Sequence, residues 1–385
     1  MKNFLLLFCF VSLIFSSCRK KKDDPKPPVN ETIIATALYG RIYSMNAQTK
    51  NVNWSTEEYF MNAEPAIHNN IVYVGKLNEL GPSYIIGYDL TTGKEVYKLD
   101  LDRSLVIRSY TSNLIVTDKY IFALTESKVL AIDRIQKKIL WTWATESYGA
   151  NRVRLTYNNE TLYADTGEFL CAIDCNTGKP IWESDHYKGN QLVNPSATLY
   201  KNFIYLSAGS SDNQDEPLYA FDRETGVLKW KNDEAKNAYS AVIHENSLFV
   251  GTRQGNFYAL DPVTGSTQWS INLNSSEFFY APCVSGNYAF IANGVKLYAI
   301  DIKARKVSWT YYLDSPPLFV SDPVAANDKV YIKSSKLYAF DIYTGLPEII
   351  SSPDPKYPFG GVPITIIDSN KKIHCSLNSE MKSQY

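Results

Sequence analysis

A thirteen-residue pattern that returns eight times at near-constant spacing limits this 385-residue chain to very few folds. Its clearest copies are LYAFDRETGVLKW at 218–230, FYALDPVTGSTQW at 257–269 and LCAIDCNTGKPIW at 170–182. Aligned on the acidic position, the series runs Asn46, Asp89, Asp133, Asp174, Asp222, Asp261, Asp301 and Asp341, with spacings of 43, 44, 41, 48, 39, 40 and 40 residues. That spacing is the length of one four-stranded blade, a unit that buries its faces only by stacking on its neighbours. The pattern predicts an all-β fold: an eight-bladed β-propeller of four-stranded antiparallel blades over residues 33–385.

Each position of the pattern has a physical reading. Alternation along Leu218-Tyr219-Ala220-Phe221 marks a strand, and the acid followed by Thr-Gly marks the turn that ends it. The turn carboxylates are expected to accept hydrogen bonds from N–H groups of their own turns, and Gly93, Gly178, Gly226, Gly265 and Gly345 to supply positive φ. Lys50, Lys137 and Arg305 stand at the glycine position in the other three copies, where less regular turns are expected. Eight residues after the acid come Trp54, Tyr97, Trp141, Trp182, Trp230, Trp269, Trp309 and Ile349, so six of the seven tryptophans share one structural position. Two residues before the acid lies a small residue: Ser44, Gly87, or Ala at 131, 172, 220, 259, 299 and 339. It is expected to make room for an indole from a neighbouring blade, which reads the tryptophans as blade-docking groups and not as a sugar-binding ladder.

The two ends of the chain complement one another. Ile33 to Trp54 carries the pattern without an inner strand before it, while Pro363 to His374 is an inner-strand pattern with no repeat after it. The C-terminal strand or strands are therefore expected to join the N-terminal blade and close the ring, which removes open sheet edges. Before the ring, Lys2 and the apolar run Phe4 to Phe15 form a targeting segment too short for a membrane span. Phe15-Ser16-Ser17-Cys18 resembles a bacterial lipobox, which implies a signal peptide over 1–17 and lipid on Cys18. Residues 18–32, with three prolines and no apolar periodicity, read as a flexible tether. Arg19 follows the lipidated position, where aspartate is the usual inner-membrane retention signal, so the resemblance implies the outer membrane. Lys22-Asp23-Asp24 resembles a charged surface-export tag displaced from its usual place, which leaves periplasmic and cell-surface orientations open.

Ala-x-Asp-x-x-Thr-Gly-x-x-x-Trp resembles the tryptophan-docking motif of PQQ-type propellers, and the resemblance covers nearly all of the chain after Cys18. With the lipobox, the modest length and the eight blades, it is similar to the BamB-type outer-membrane assembly lipoproteins. The resemblance implies an envelope protein partner and attachment to the membrane through lipid. PQQ-dependent dehydrogenases share the motif but are longer and carry a vicinal Cys-Cys pair, which does not occur here. Neither PQQ nor enzymatic activity is expected.

Composition excludes other classes. The net charge of −1 gives no basic surplus for nucleic acid, and the four histidines are scattered. His68 and His244 read as surface turn residues, and the acidic run Asp212 to Glu216 lacks the spacing of a calcium loop; no metal is expected. Cys171, Cys175, Cys283 and Cys375 read as thiols without disulfides, because the repeat puts them on one strand and turn or in blades that do not adjoin. The variable connections, Leu77–Ser83 and Ser207–Pro217 among them, fall on the face opposite the Asp-Thr-Gly turns, where specificity usually resides. Residues at the starts of inner strands are the ones able to ring the central funnel on that face: Glu64, Arg152, Arg154, Asn194, Tyr239, Tyr280 and Asp322. Two functions follow: a lipid-anchored, non-catalytic scaffold that binds an envelope protein, or a surface-exposed binder of glycan or protein.

Overall fold

The structure is a computed structural model that describes residues 31–37, 41–57, 65–76, 82–107, 114–125, 128–144, 153–166, 168–185, 187, 197–207, 215–275, 279–294, 296–314, 320–356, 359 and 364–375. Cys18, Glu64, Arg152 and Asn194 lie outside the described residues. Eight antiparallel sheets form the eight blades of a β-propeller, and seven of them have four strands joined in chain order. The sixth blade is typical, with strands A to D from the axis outward at Ala238–His244, Ser247–Thr252, Asn256–Leu260 and Thr267–Asn272.

The first blade is where the ring closes. Its sheet runs Val52–Ser55, Ile42–Asn46, Thr32–Thr36, Thr365–Ile367 and Ile373–Cys375. Thr365–Ile367 takes the inner A position, with Thr32 opposite Ile367 and Ile34 opposite Thr365. Ile373–Cys375 then returns along its other side as a fifth strand, with Thr365 opposite Cys375. One C-terminal strand thus completes the blade and a second thickens it toward the axis. The first strand begins at Thr32, and Glu31 is 5% exposed, so the ring takes in two residues that the sequence assigns to the tether.

The apolar core is divided into eight clusters, each straddling two consecutive blades. The cluster between the fifth and sixth blades joins Tyr205, Leu218 and Ala220 to Leu248, Val250 and Leu260. The one that closes the ring joins Ile33, Ala35 and Tyr43 to Val324, Tyr331 and Leu337. The B and C strands are largely buried on both faces, while the outer D strands alternate, as in Lys306–Tyr312. No blade has a core of its own.

The Asp-Thr-Gly turns have the geometry the pattern predicts. Asp89 Oδ1 accepts Thr91 N–H at 3.1 Å, Thr92 N–H at 2.7 Å and the Thr92 hydroxyl at 2.8 Å. Those bonds, the Thr92 N–H first, hold its carboxyl below the ordinary value. Lys50, Lys137 and Arg305 adopt φ of 62°, 55° and 52°, the left-handed region that Gly93 and its equivalents occupy without a steric penalty. Asn46 and Asp133 still accept two turn N–H groups each, whereas Asp301 is bonded to Ala304 N–H at 2.8 Å.

The docking joint differs from the sequence reading in one respect. The small residue faces the indole of its own blade: Ala220 lies opposite Trp230 and Ala259 opposite Trp269, each beside a β-bulge. It is the turn glycine that receives the indole from the neighbouring blade. A Cβ on Gly178 would lie 2.6 Å from Trp141, on Gly226 2.4 Å from Trp182, and on Gly265 2.5 Å from Trp230. The indole Nε1 then donates to the carbonyl just after the turn acid: Trp54 to Leu90 at 2.8 Å, Trp141 to Cys175 at 2.8 Å, and Trp309 to Ile342 at 3.0 Å. Where Tyr97 replaces tryptophan, Lys137 replaces glycine and its Nζ sits 4.7 Å above the Tyr97 ring.

The eighth joint, between the last blade and the first, is built differently. The bulge is missing there, so Glu348 and not Ile349 lies opposite Ala339, and Ile349 is 42% exposed. Ile349 is therefore not a docking residue. Glu348 pairs with Lys329 at 2.9 Å and reaches Lys50, the glycine-position residue of the first blade, at 3.9 Å. Tyr331 OH donates to Glu31 Oε2 at 2.7 Å, Asn327 donates to Glu31 Oε1, and Lys333 Nζ donates to Thr36 O at 2.7 Å. Polar contacts thus take the place of the indole at the seam. Trp230→Ala is expected to cost about 3–5 kcal/mol in urea unfolding. Glu348→Gln, at an exposed pair, is expected to cost below about 1 kcal/mol and to become neutral in high salt.

Candidate funnel site

Antiparallel strand order puts the A–B and C–D turns on one face of the ring, here the turn face, and the B–C and D–A connections on the other, the funnel face. The start of each A strand opens on the funnel. Of the seven residues expected there, the structure places Arg154 on the fourth blade, Tyr239 on the sixth, Tyr280 on the seventh and Asp322 on the eighth. Glu64, Arg152 and Asn194 fall outside the described residues.

Three of the four are linked from blade to blade. The rings of Tyr239 and Tyr280 meet edge to face at 6.2 Å and 65°. Asp322, 7% exposed, accepts Ala281 N–H at 2.9 Å, which ties the eighth blade to the residue after Tyr280. Tyr280 N–H donates to Ala292 O at 2.8 Å, and burial pushes its hydroxyl up from the ordinary value. Arg154 donates from Nη1 to Val153 O at 3.1 Å. Burial lowers its pKa, opposed by the nearby Tyr239 and Asp165, and Asp165 is its cross-strand partner. Tyr239, Tyr280 and Asp322 therefore bind blades to one another.

Sequence reasoning missed Lys333. It ends the B strand of the eighth blade, is fully buried, donates to Thr36 O and lies 6.0 Å from the Phe359 ring. A charged residue closing the otherwise apolar strand Val330-Tyr331-Ile332 was the available signal. A buried ammonium needs such partners, because desolvation penalises it strongly.

The described groups offer hydrogen bonds and aromatic faces. Cys171 and Cys175 are buried free thiols pushed up to about 12 by burial, which suppresses the thiolate that nucleophilic chemistry needs. Cys283 and Cys375 form no disulfide among the described residues and are half-buried. Among the described residues no group of three or more His, Cys, Asp or Glu side chains is placed to hold a metal ion. In the acidic run, the exposed Asp215 pairs with Lys236 at 3.0 Å, while Glu216 is 6% exposed.

His68 is the other correction. It lies on the turn face, but its side chain is fully buried, 3.0 Å from Asp118 Oδ1 of the next blade. Asn69 shares that carboxylate at 2.8 Å, and Arg134 donates to Asp118 O at 2.8 Å. The local pattern Ala66-Ile67-His68-Asn69-Asn70 signals a turn, and only the packing of the third blade against it buries the ring.

Fold and joints define a propeller of the quinoprotein type. A sequence model of the family described as "Outer membrane protein assembly factor BamB" matches residues 18–99, 82–214 and 214–348, and the chain belongs to that family. It is 21% identical over 266 residues to the outer membrane protein assembly factor BamB of Shewanella oneidensis, covering 66% of this chain and 64% of that protein. The chain thus spans less than two thirds of that relative's length. Among solved structures, BamB from Moraxella catarrhalis superposes with a TM-score of 0.60 at 14% identity, over 78% of this chain and 88% of that one. The quinohemoprotein alcohol dehydrogenase of Comamonas testosteroni superposes with a TM-score of 0.57 at 14% identity, over 78% and 68%. Such likeness extends to the fold alone.

The folded pKa of His68 is lowered, by burial first and against the Asp118 hydrogen bond. A lowered histidine keeps its stabilising contribution above the unfolded value near 6.5 and loses it as pH falls below that value, because the unfolded chain takes up the proton first. The wild type should therefore lose more unfolding free energy between pH 7.5 and pH 5 than His68→Gln does, measured by urea titration at each pH.

Proposed function

We propose that the protein is a lipid-anchored, non-catalytic scaffold of the outer membrane that holds an envelope protein partner, in the manner the BamB family name describes. The observation that carries this reading is the family match across residues 18–348, which takes in all eight turn positions from Asn46 to Asp341. The described groups at the starts of the inner strands agree with it, because they are engaged with the blades. Loops on a rigid scaffold suit recognition by shape and hydrogen bonding.

A dehydrogenase reading has the fold in its favour but not the residues. The chain has no adjacent cysteine pair, its blades are almost bare of insertions, and its funnel carboxylate Asp322 is bonded to the Ala281 amide. These residues do not fit a PQQ site. A surface-exposed binder of glycan or protein differs from the scaffold reading only in cell location and partner, and the Lys22-Asp23-Asp24 run is what favours it.

Crosslinking in intact cells followed by affinity purification is expected to recover an outer-membrane assembly protein, and the double variant Arg154→Ala/Tyr280→Ala to recover at least several-fold less. Unchanged recovery would remove the funnel from the binding surface. Protease treatment of intact cells is expected to leave the protein intact; its loss would favour the surface reading.

A further inference from the structure

The chain enters the ring on the turn face. Thr32 lies opposite Asn46, the turn residue of the first blade, and Ala47 N–H donates to Glu31 O at 3.0 Å. The Glu31 carboxylate is gripped by Tyr331 and Asn327 of the eighth blade, so the point where the preceding segment joins is fixed by two blades. The last described strand ends the other way: Cys375 lies opposite Thr365, the first residue of its A strand, on the funnel face.

We propose that the turn face rests on the phospholipid surface, with Ile135, Val263, Tyr343 and Leu346 set into the headgroup and upper acyl region. This rests on the reading of Cys18 as acylated. All four side chains project from C–D turns, and they are 77%, 52%, 58% and 69% exposed. They are spread over the third, sixth and eighth blades, so one plane touches all of them. The equivalent turn positions elsewhere carry Gln48, Thr91 and Asn176, which shows that the turn itself does not require an apolar tip. Isolated aliphatic tips and a tyrosine suit the interface, where an apolar body can leave water while a hydroxyl stays wet. Lys137, Lys303 and Arg305 are interspersed with Glu95, Glu224 and Asp328, so the face has no strong sign and the contact does not depend on anionic lipid.

Tether length favours the same orientation. Twelve residues lie between Cys18 and Glu31, thirteen Cα steps that span roughly 45 Å at full extension. With the turn face down, the segment has slack. With the funnel face down, it would first run outward past two strands about 5 Å apart and then down a five-residue strand height of about 17 Å, besides clearing the loops. About 18 Å would remain, against nearly the whole length with the turn face down.

The test uses the full acylated protein in vesicles of phosphatidylethanolamine and phosphatidylglycerol that contain a phosphatidylethanolamine with a photoactivatable diazirine in its upper acyl chain. Intact mass is measured first, and lipid adducts are then mapped by peptide. Adducts are expected on the turn peptides around 133–138, 261–266 and 341–346, and to fall at least five-fold in Ile135→Ser/Val263→Ser/Tyr343→Ser/Leu346→Ser, whose fold is checked by circular dichroism. Adducts confined to funnel-face peptides such as 101–107, or absent from the ring, overturn the orientation while leaving the anchor standing. A mass without acyl chains on Cys18 overturns the anchor, and the orientation with it.

Discussion

The joint between a tryptophan on one blade and a left-handed glycine on the next is the contact on which this ring depends. Each half is shaped by a local constraint. The turn acid fixes its own loop with backbone N–H bonds, the loop brings a residue to φ near 70°, and at that φ glycine alone offers a flat, open surface. The indole covers that surface and its N–H reaches the next carbonyl along. Because no blade has a core of its own, the apolar clusters between blades form only when these joints bring the sheets together.

Substitutions at the joints follow the same physics. Where tryptophan becomes Tyr97, glycine becomes Lys137 and an ammonium lies over the ring. Where the bulge is absent, Glu348 takes the position and meets Lys50. That second case is the seam where the two ends of the chain meet, and Glu31, Lys333 and Thr36 add hydrogen bonds beside it. A ring must close between strands that are distant in sequence, and directional polar contacts specify one partner where an apolar surface accepts many. Closure therefore combines a shared apolar cluster with polar contacts of defined register.

The polar residues at the starts of the inner strands join one blade to the next. Asp322 and the Tyr239–Tyr280 pair link the sixth, seventh and eighth blades. A rigid rim follows, and a rigid rim lowers the ordering cost when loops around it engage a partner. The A-strand positions were legible in the sequence because the repeat fixes where each A strand starts. Their bonding was not, since Ala281 and Asp322 meet only through blade packing.

The sequence by itself determined the number of blades, the place of every turn acid and tryptophan, and the joining of the C-terminal segment to the first blade. These are local or periodic properties: a two-residue alternation, a turn that its own carboxylate holds, and a spacing of about forty residues. Tertiary structure alone decided which neighbour each group would meet. It showed that the glycine, not the small strand residue, receives the neighbour's indole, that His68 is buried by the third blade, and that Lys333 lies inside the seam. It also showed that the last strand adds to the inner edge of the first blade. Each of these depends on the distance between residues far apart in the chain, and a repeat pattern gives the position of a residue within its blade without giving what the adjoining blade sets against it.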